Sequence, residues 1–119
     1  MDKKDNKNTV NPVIALAEQK FGKEKLAELQ AQFPGRKLNI LAVEDKVAVL
    51  MPLTPRALSN YTRMVMGKDT GIDDAARMLI NELWLGGDDE IRDNDEYFMG
   101  AMIEVQNLIE VKKSAFGKY

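Results

Sequence analysis

At 119 residues, 45% apolar and 30% charged, the chain has the length and balance of one globular domain, which excludes a disordered segment. A net charge of −2 and a pI near 5.2 argue against a general nucleic-acid binder. With no cysteine and no histidine, disulfides, thiol nucleophiles and the commonest transition-metal ligands are excluded too.

Residues 1–10 are polar, have no apolar core behind their lysines, and read as a flexible arm rather than a secretory signal. Residues 11–119 then form the single domain. Asn11-Pro12 supplies a helix cap followed by proline at the first helical position, and Val13, Ile14, Leu16, Ala17 and Phe21 follow at helical spacing up to Gly22. A second helix over 23–32 aligns Leu26, Leu29 and Phe33 before Pro34-Gly35 ends it. The period then shortens. Residues 37–43 and 46–51 are β-rich runs around Glu44-Asp45, a hairpin without the usual turn glycine. A lone hairpin is marginal in water, so helices must cover a face of it.

Thr54-Pro55 repeats the cap-plus-proline start and launches a helix to Met66, with Leu58, Tyr61 and Val65 aligned. Thr70 and Asp73 have capping-box spacing, and the next helix aligns Ile72, Ala76, Leu79, Ile80, Leu83 and Trp84. Gly86, in a left-handed conformation, is expected to stop it, with Trp84 as a core anchor. Asp93 as N-cap, with Glu96 three residues on, opens a final helix of about 24 residues, about 36 Å long. Phe98, Ala101, Met102, Val105, Leu108, Ile109 and Phe116 make its apolar stripe, with Glu104, Asn107, Glu110 and Lys113 largely opposite. Acids at its start and Lys112, Lys113 and Lys118 at its end complement the helix dipole. The expected fold is α+β and helix-dominated, a β-hairpin packed by about five helical segments. No run approaches the roughly 18 apolar residues of a bilayer span, so a soluble protein is expected.

Chemistry-bearing motifs are sparse. Neither GxxxxGK[ST] nor GxGxxG occurs, and no catalytic, cofactor or metal set is expected. The acids Asp88, Asp89, Glu90, Asp93, Asp95 and Glu96 suggest a hard cation, but the calcium-loop glycine position holds Phe98 when counted from Asp93. Solvated helix capping is the plainer reading, and an electrostatic docking patch is the other alternative. Gly86-Gly87-Asp88-Asp89-Glu90 matches part of a cyclase signature found on a hairpin, whereas here helices flank it. Seven methionines include Met64, Met66, Met99 and Met102 in expected helices, where they either fill the core or form an adaptable contact groove. Tyr97 and Phe98 lie about 100° apart on a helix, so one of them is expected to face a partner or a different helix.

Four segments carry a family resemblance: Leu-Met-Pro-Leu-Thr-Pro-Arg at 50–56, Leu-Ser-Asn-Tyr at 58–61, Leu-Trp-Leu-Gly-Gly-Asp at 83–88 and Tyr-Phe-Met-Gly-Ala-Met at 97–102. Over residues 11–119 the chain resembles the small tail-assembly-chaperone-like proteins of tailed bacteriophages and prophages. The resemblance implies a non-enzymatic protein of the infected host's cytoplasm, without cofactor, that binds the helical tape-measure protein during tail assembly. It also allows a second role, a minor head or tail component of the virion. The helix surface bearing Tyr97, Met99 and Met102 is the expected contact with the client, and a homo-oligomer is compatible with this role. Neither nucleic acid nor membrane is an expected partner.

Overall fold

A computed structural model describes residues 11–117, with side chains through Ile109. The expected arm at 1–10 and the side chains of Glu110, Lys112, Lys113, Phe116 and Lys118 lie outside the described residues. The element order is α1 (Pro12–Phe21), α2 (Lys23–Ala31), β1 (Asn39–Val43), β2 (Lys46–Leu50), α3 (Pro55–Met66), α4 (Ile72–Leu83), β3 (Trp84–Gly87), α5 (Glu90–Asp93) and α6 (Asp95–Gly117). The result is a helix-dominated α+β fold around an antiparallel sheet of order β1-β2-β3.

Local chemistry accounts for most boundaries. Asn11 accepts a hydrogen bond from the Val13 N–H, and Thr54 accepts one from the Ala57 N–H, so both cap-plus-proline starts hold. The β1–β2 hairpin turns at Glu44-Asp45, where Glu44 adopts φ 56°, the sign that primed hairpin turns need at their first central position. Gln30, near the end of α2, donates to the Phe33 and Arg36 carbonyls and accepts from the Leu38 N–H. That one amide organises the chain's passage from α2 into β1.

The sheet is covered on both faces, which is why Val47, Ala48, Val49 and Leu50 of the central strand are all buried. Leu41, Ala48 and Leu50 pack beneath Phe98, Ala101, Val105 and Ile109 of α6 and join Ala75, Ala76, Leu79, Ile80 and Leu83 of α4 in one core. Val47 and Val49 point to the opposite face, where α1 lies over β1 and β2 and buries Ala17. Tyr61 of α3 is buried within the main core, and that burial pushes its phenol pKa up. At Gly100 a Cβ would stand 2.8 Å from Val43 Cγ1, so α6 rides closer to β1 than an alanine permits.

Three expectations at junctions are corrected. Helix α4 begins after Gly71 with no side-chain cap, so Thr70 and Asp73 form no capping box; Asp73 and Asp74 instead lie in its first turn. Residues 84–87 are a third strand paired with β2, not a helix stop and turn, and the left-handed glycine is Gly87 (φ 144°) rather than Gly86. The long helix is capped by Asn94, whose side chain accepts from the Glu96 and Tyr97 N–H groups, while Asp93 closes the separate short helix α5. In the Asp93-Asn94-Asp95 run all three residues are good caps. Tertiary contacts choose among them: Ile91 is fully buried, and the Arg92 carbonyl accepts a hydrogen bond from the Arg77 guanidinium.

Candidate protein-binding surface

Two regions hold the candidate residues, and they differ in kind. The first is the junction after α4. Gly87 lies so close to β2 that a Cβ would sit 2.5 Å from both Ala48 Cα and the Val47 carbonyl oxygen. The approach brings Asp88 alongside Val47. Its N–H donates to the Val47 carbonyl (2.8 Å), and its carboxylate accepts from the Val47 N–H (2.9 Å) and from Lys20 Nζ on α1 (2.9 Å). Desolvation opposes ionisation of Asp88, but the Lys20 ammonium and the Val47 N–H outweigh it and hold the carboxyl below its usual range. Asp88 therefore ties α1, β2 and the end of β3 together, a structural task that needs no ligand.

Around the same junction the arginines stack on aromatics. The Arg92 guanidinium lies 3.9 Å from the Trp84 ring centre and also donates to Asp89 (2.7 Å) and Asn81 (3.2 Å). Arg77 lies 3.9 Å from the Phe98 ring centre. Trp84 packs against the core only in part, with its indole covered by Arg92. Among the described residues no group of acids is placed to hold a metal ion. The acidic run is instead divided among an ion pair with Lys20, one with Arg92, one between Glu90 and Lys46 (3.2 Å), and helix first turns.

The second region is the surface of α6. Phe98 is buried, whereas Tyr97 is half-buried beside β2, with Lys46 Nζ 5.8 Å from its ring centre. The neighbouring aromatics thus part, but Tyr97 turns to a residue of a strand rather than to a different helix. The Glu90 carboxylate raises the Lys46 pKa by its hydrogen bond, against a smaller desolvation effect. Met102 is half-buried against the core, and Met99 is 56% exposed. At 100° per residue Tyr97 is about 160° from Met99 and about 140° from Met102, while Met99 and Met102 are only about 60° apart. Tyr97, Met99 and Met102 therefore do not share one face.

Ile103 completes a different grouping. It is 58% exposed, one turn beyond Met99, and the two form an apolar ridge with Met102 at its inner edge. The i, i+4 spacing of Met99 and Ile103 is visible in the sequence. Its outward direction depends on where the sheet lies. On the other flank, α6 and the sheet diverge to leave an open groove of about 300 Å³ lined by Asn39, Leu41 and Leu50 of the sheet and by Glu104, Val105 and Leu108 of α6.

Among the described residues no helix is long and apolar enough to cross a membrane. No family model, curated protein or solved structure matches the chain.

Proposed function

We propose that this chain is a non-catalytic assembly chaperone of the phage-tail kind, which binds an amphipathic helical client, the tape-measure protein, in the host cytoplasm. The observation that supports this reading is the ridge of Met99, Ile103 and Met102. Large apolar side chains left in water one turn apart on a stable helix match the i, i+3, i+4 anchors by which helices recognise helices. Methionine suits such a surface because its unbranched, polarizable side chain repacks against varied partners. The apolar stripes of a tape-measure helix supply the complement, to be released when the tail tube takes the chaperone's place.

The test is a calorimetric titration of the full-length protein with synthetic tape-measure helices. Replacing both Met99 and Ile103 with serine removes apolar surface that stands outside the core, so the melting temperature is expected to hold. Each side chain, half-covered by the client, contributes about 1 kcal/mol, and the pair should weaken binding by roughly ten-fold or more. Unchanged affinity in the folded double mutant overturns the proposed surface. Recovery of the protein at fixed stoichiometry from purified virions would instead favour the structural-component role.

A further inference from the structure

The strand β1 stands at one edge of the sheet, and its alternation is set by the hairpin. Val43 and Lys46 flank a two-residue turn and form a hydrogen-bonded pair, as do Leu41 with Ala48 and Asn39 with Leu50. Ile40 and Ala42 face Val49 and Val47 as the intervening, non-bonded pairs, so their N–H and C=O groups point away from β2. The backbone of Val47 confirms the phase, because its N–H and C=O are turned the other way, to Asp88. Among the described residues nothing bonds to the outward groups of Ile40 and Ala42.

Edge strands are normally blunted by charge, proline or a bulge. Strand β1 reads Asn-Ile-Leu-Ala-Val and has none of these. The opposite edge, β3, is only four residues long, ends in two glycines, and pairs with β2 through a register shift at Val49/Leu50. Beside β1 the groove against α6 leaves lateral room at its Asn39 end.

The occupant is indicated by charge. An antiparallel pairing of β1 with itself, centred on Leu41, sets Ile40 opposite the partner's Ala42, so that both pairs of outward groups meet in about four main-chain hydrogen bonds. The same register runs Lys37, two residues before β1, toward the partner's hairpin turn, twice by symmetry, and that turn's Glu44 and Asp45 are exposed, as is Lys37. We infer that a second copy of this chain docks on β1, forming a two-fold symmetric dimer with a continuous six-stranded antiparallel sheet. This pairing does not depend on the client reading, since Met99 and Ile103 lie on the side of α6 turned away from β1.

Sedimentation velocity of the full-length protein over a concentration series tests it, at low salt where the charge pairs are least screened. A reversible monomer–dimer equilibrium is expected. Ala42→Pro deletes an outward N–H that the hairpin does not use, and should raise the dimer Kd roughly ten-fold or more while the monomer's circular dichroism stays unchanged. Lys37→Asp and Asp45→Lys should each raise the Kd roughly five-fold, and the double exchange K37D/D45K should restore it. An equimolar mixture of the two single variants should dimerise like the original chain. If Ala42→Pro unfolds, the charge exchange decides alone. A protein that stays monomeric to roughly millimolar concentration, or a dimer indifferent to both kinds of substitution, overturns the inference.

Discussion

Replacing Gly87 with alanine should be among the most damaging single-methyl additions this chain can receive. Its φ of 144° is one that side-chain-bearing residues rarely adopt, which by itself costs about 1–3 kcal/mol. The added methyl would stand 2.5 Å from Ala48 Cα and from the Val47 carbonyl oxygen, and 3.0 Å from Ala48 Cβ. These are mostly backbone atoms of a strand buried on both faces, so relief requires moving β3 away from β2, at about 1–3 kcal/mol more. Such a movement also strains the paired hydrogen bonds between Asp88 and Val47, each contributing about 1 kcal/mol. A total of about 3–6 kcal/mol is a large part of the roughly 6–18 kcal/mol available to a domain this long. Gly86 is the internal control: a methyl added there would meet no atom within 4 Å, and its φ lies outside the left-handed region. Gly86→Ala should change stability by less than about 1 kcal/mol. Urea unfolding followed by Trp84 fluorescence and circular dichroism compares the two, and the Gly87→Ala midpoint should fall by roughly 1–3 M. A Gly87→Ala protein as stable as the Gly86→Ala protein would refute the close contact between β2 and β3.

The Asp88 clamp makes a pH prediction. Because the folded carboxyl titrates below its ordinary value of 3.8, its contribution is fully present above that value and is lost as pH falls through the folded pKa. Asp88→Asn should lower stability at neutral pH and flatten the loss of stability below about pH 4, as read from urea midpoints across a pH series. A variant whose acid profile overlays that of the original protein would contradict the assignment. Arg92→Ala removes both the guanidinium over Trp84 and the donors to Asp89 and Asn81, and should cost about 1–2 kcal/mol. Arg92→Lys should recover little of this, because an ammonium lacks the planar fork, and the Trp84 emission spectrum should shift in both variants. Unaltered fluorescence would place Arg92 off the indole.

The two regions of interest play opposite parts. The junction at residues 84–88, with its lone tryptophan, paired glycines and acids, is fully used inside the fold: Gly87 admits β2, Asp88 binds two elements, and Trp84 is capped by Arg92. The α6 ridge and the β1 edge, which have no polar signature, are what the fold leaves to the outside. There the fold exposes the apolar side chains of Met99 and Ile103, and among the described residues the outward amides of Ile40 and Ala42 have no partner.

Elements governed by contacts a few residues apart are legible from the chain alone. The cap-and-proline starts at Asn11 and Thr54, the hairpin around Glu44-Asp45, and the stripe of Phe98, Ala101, Val105 and Ile109 all follow from short-range spacing. The third strand does not, because four residues ending in two glycines carry no period, and β3 exists through hydrogen bonds to β2 that arise only after the α3–α4 pair returns the chain to the sheet. Nor could spacing choose Asn94 over Asp93 as the cap, since that depends on where Arg77 and the buried Ile91 hold α5. The same division holds for the candidate surface. Sequence placed Tyr97, Met99 and Met102 on one helix and showed that Tyr97 and Phe98 must part company. Only the position of β1 and β2 decided that Tyr97 turns toward Lys46 while Met99 joins Ile103 in water, because a helix has an outside only once its neighbours are in place.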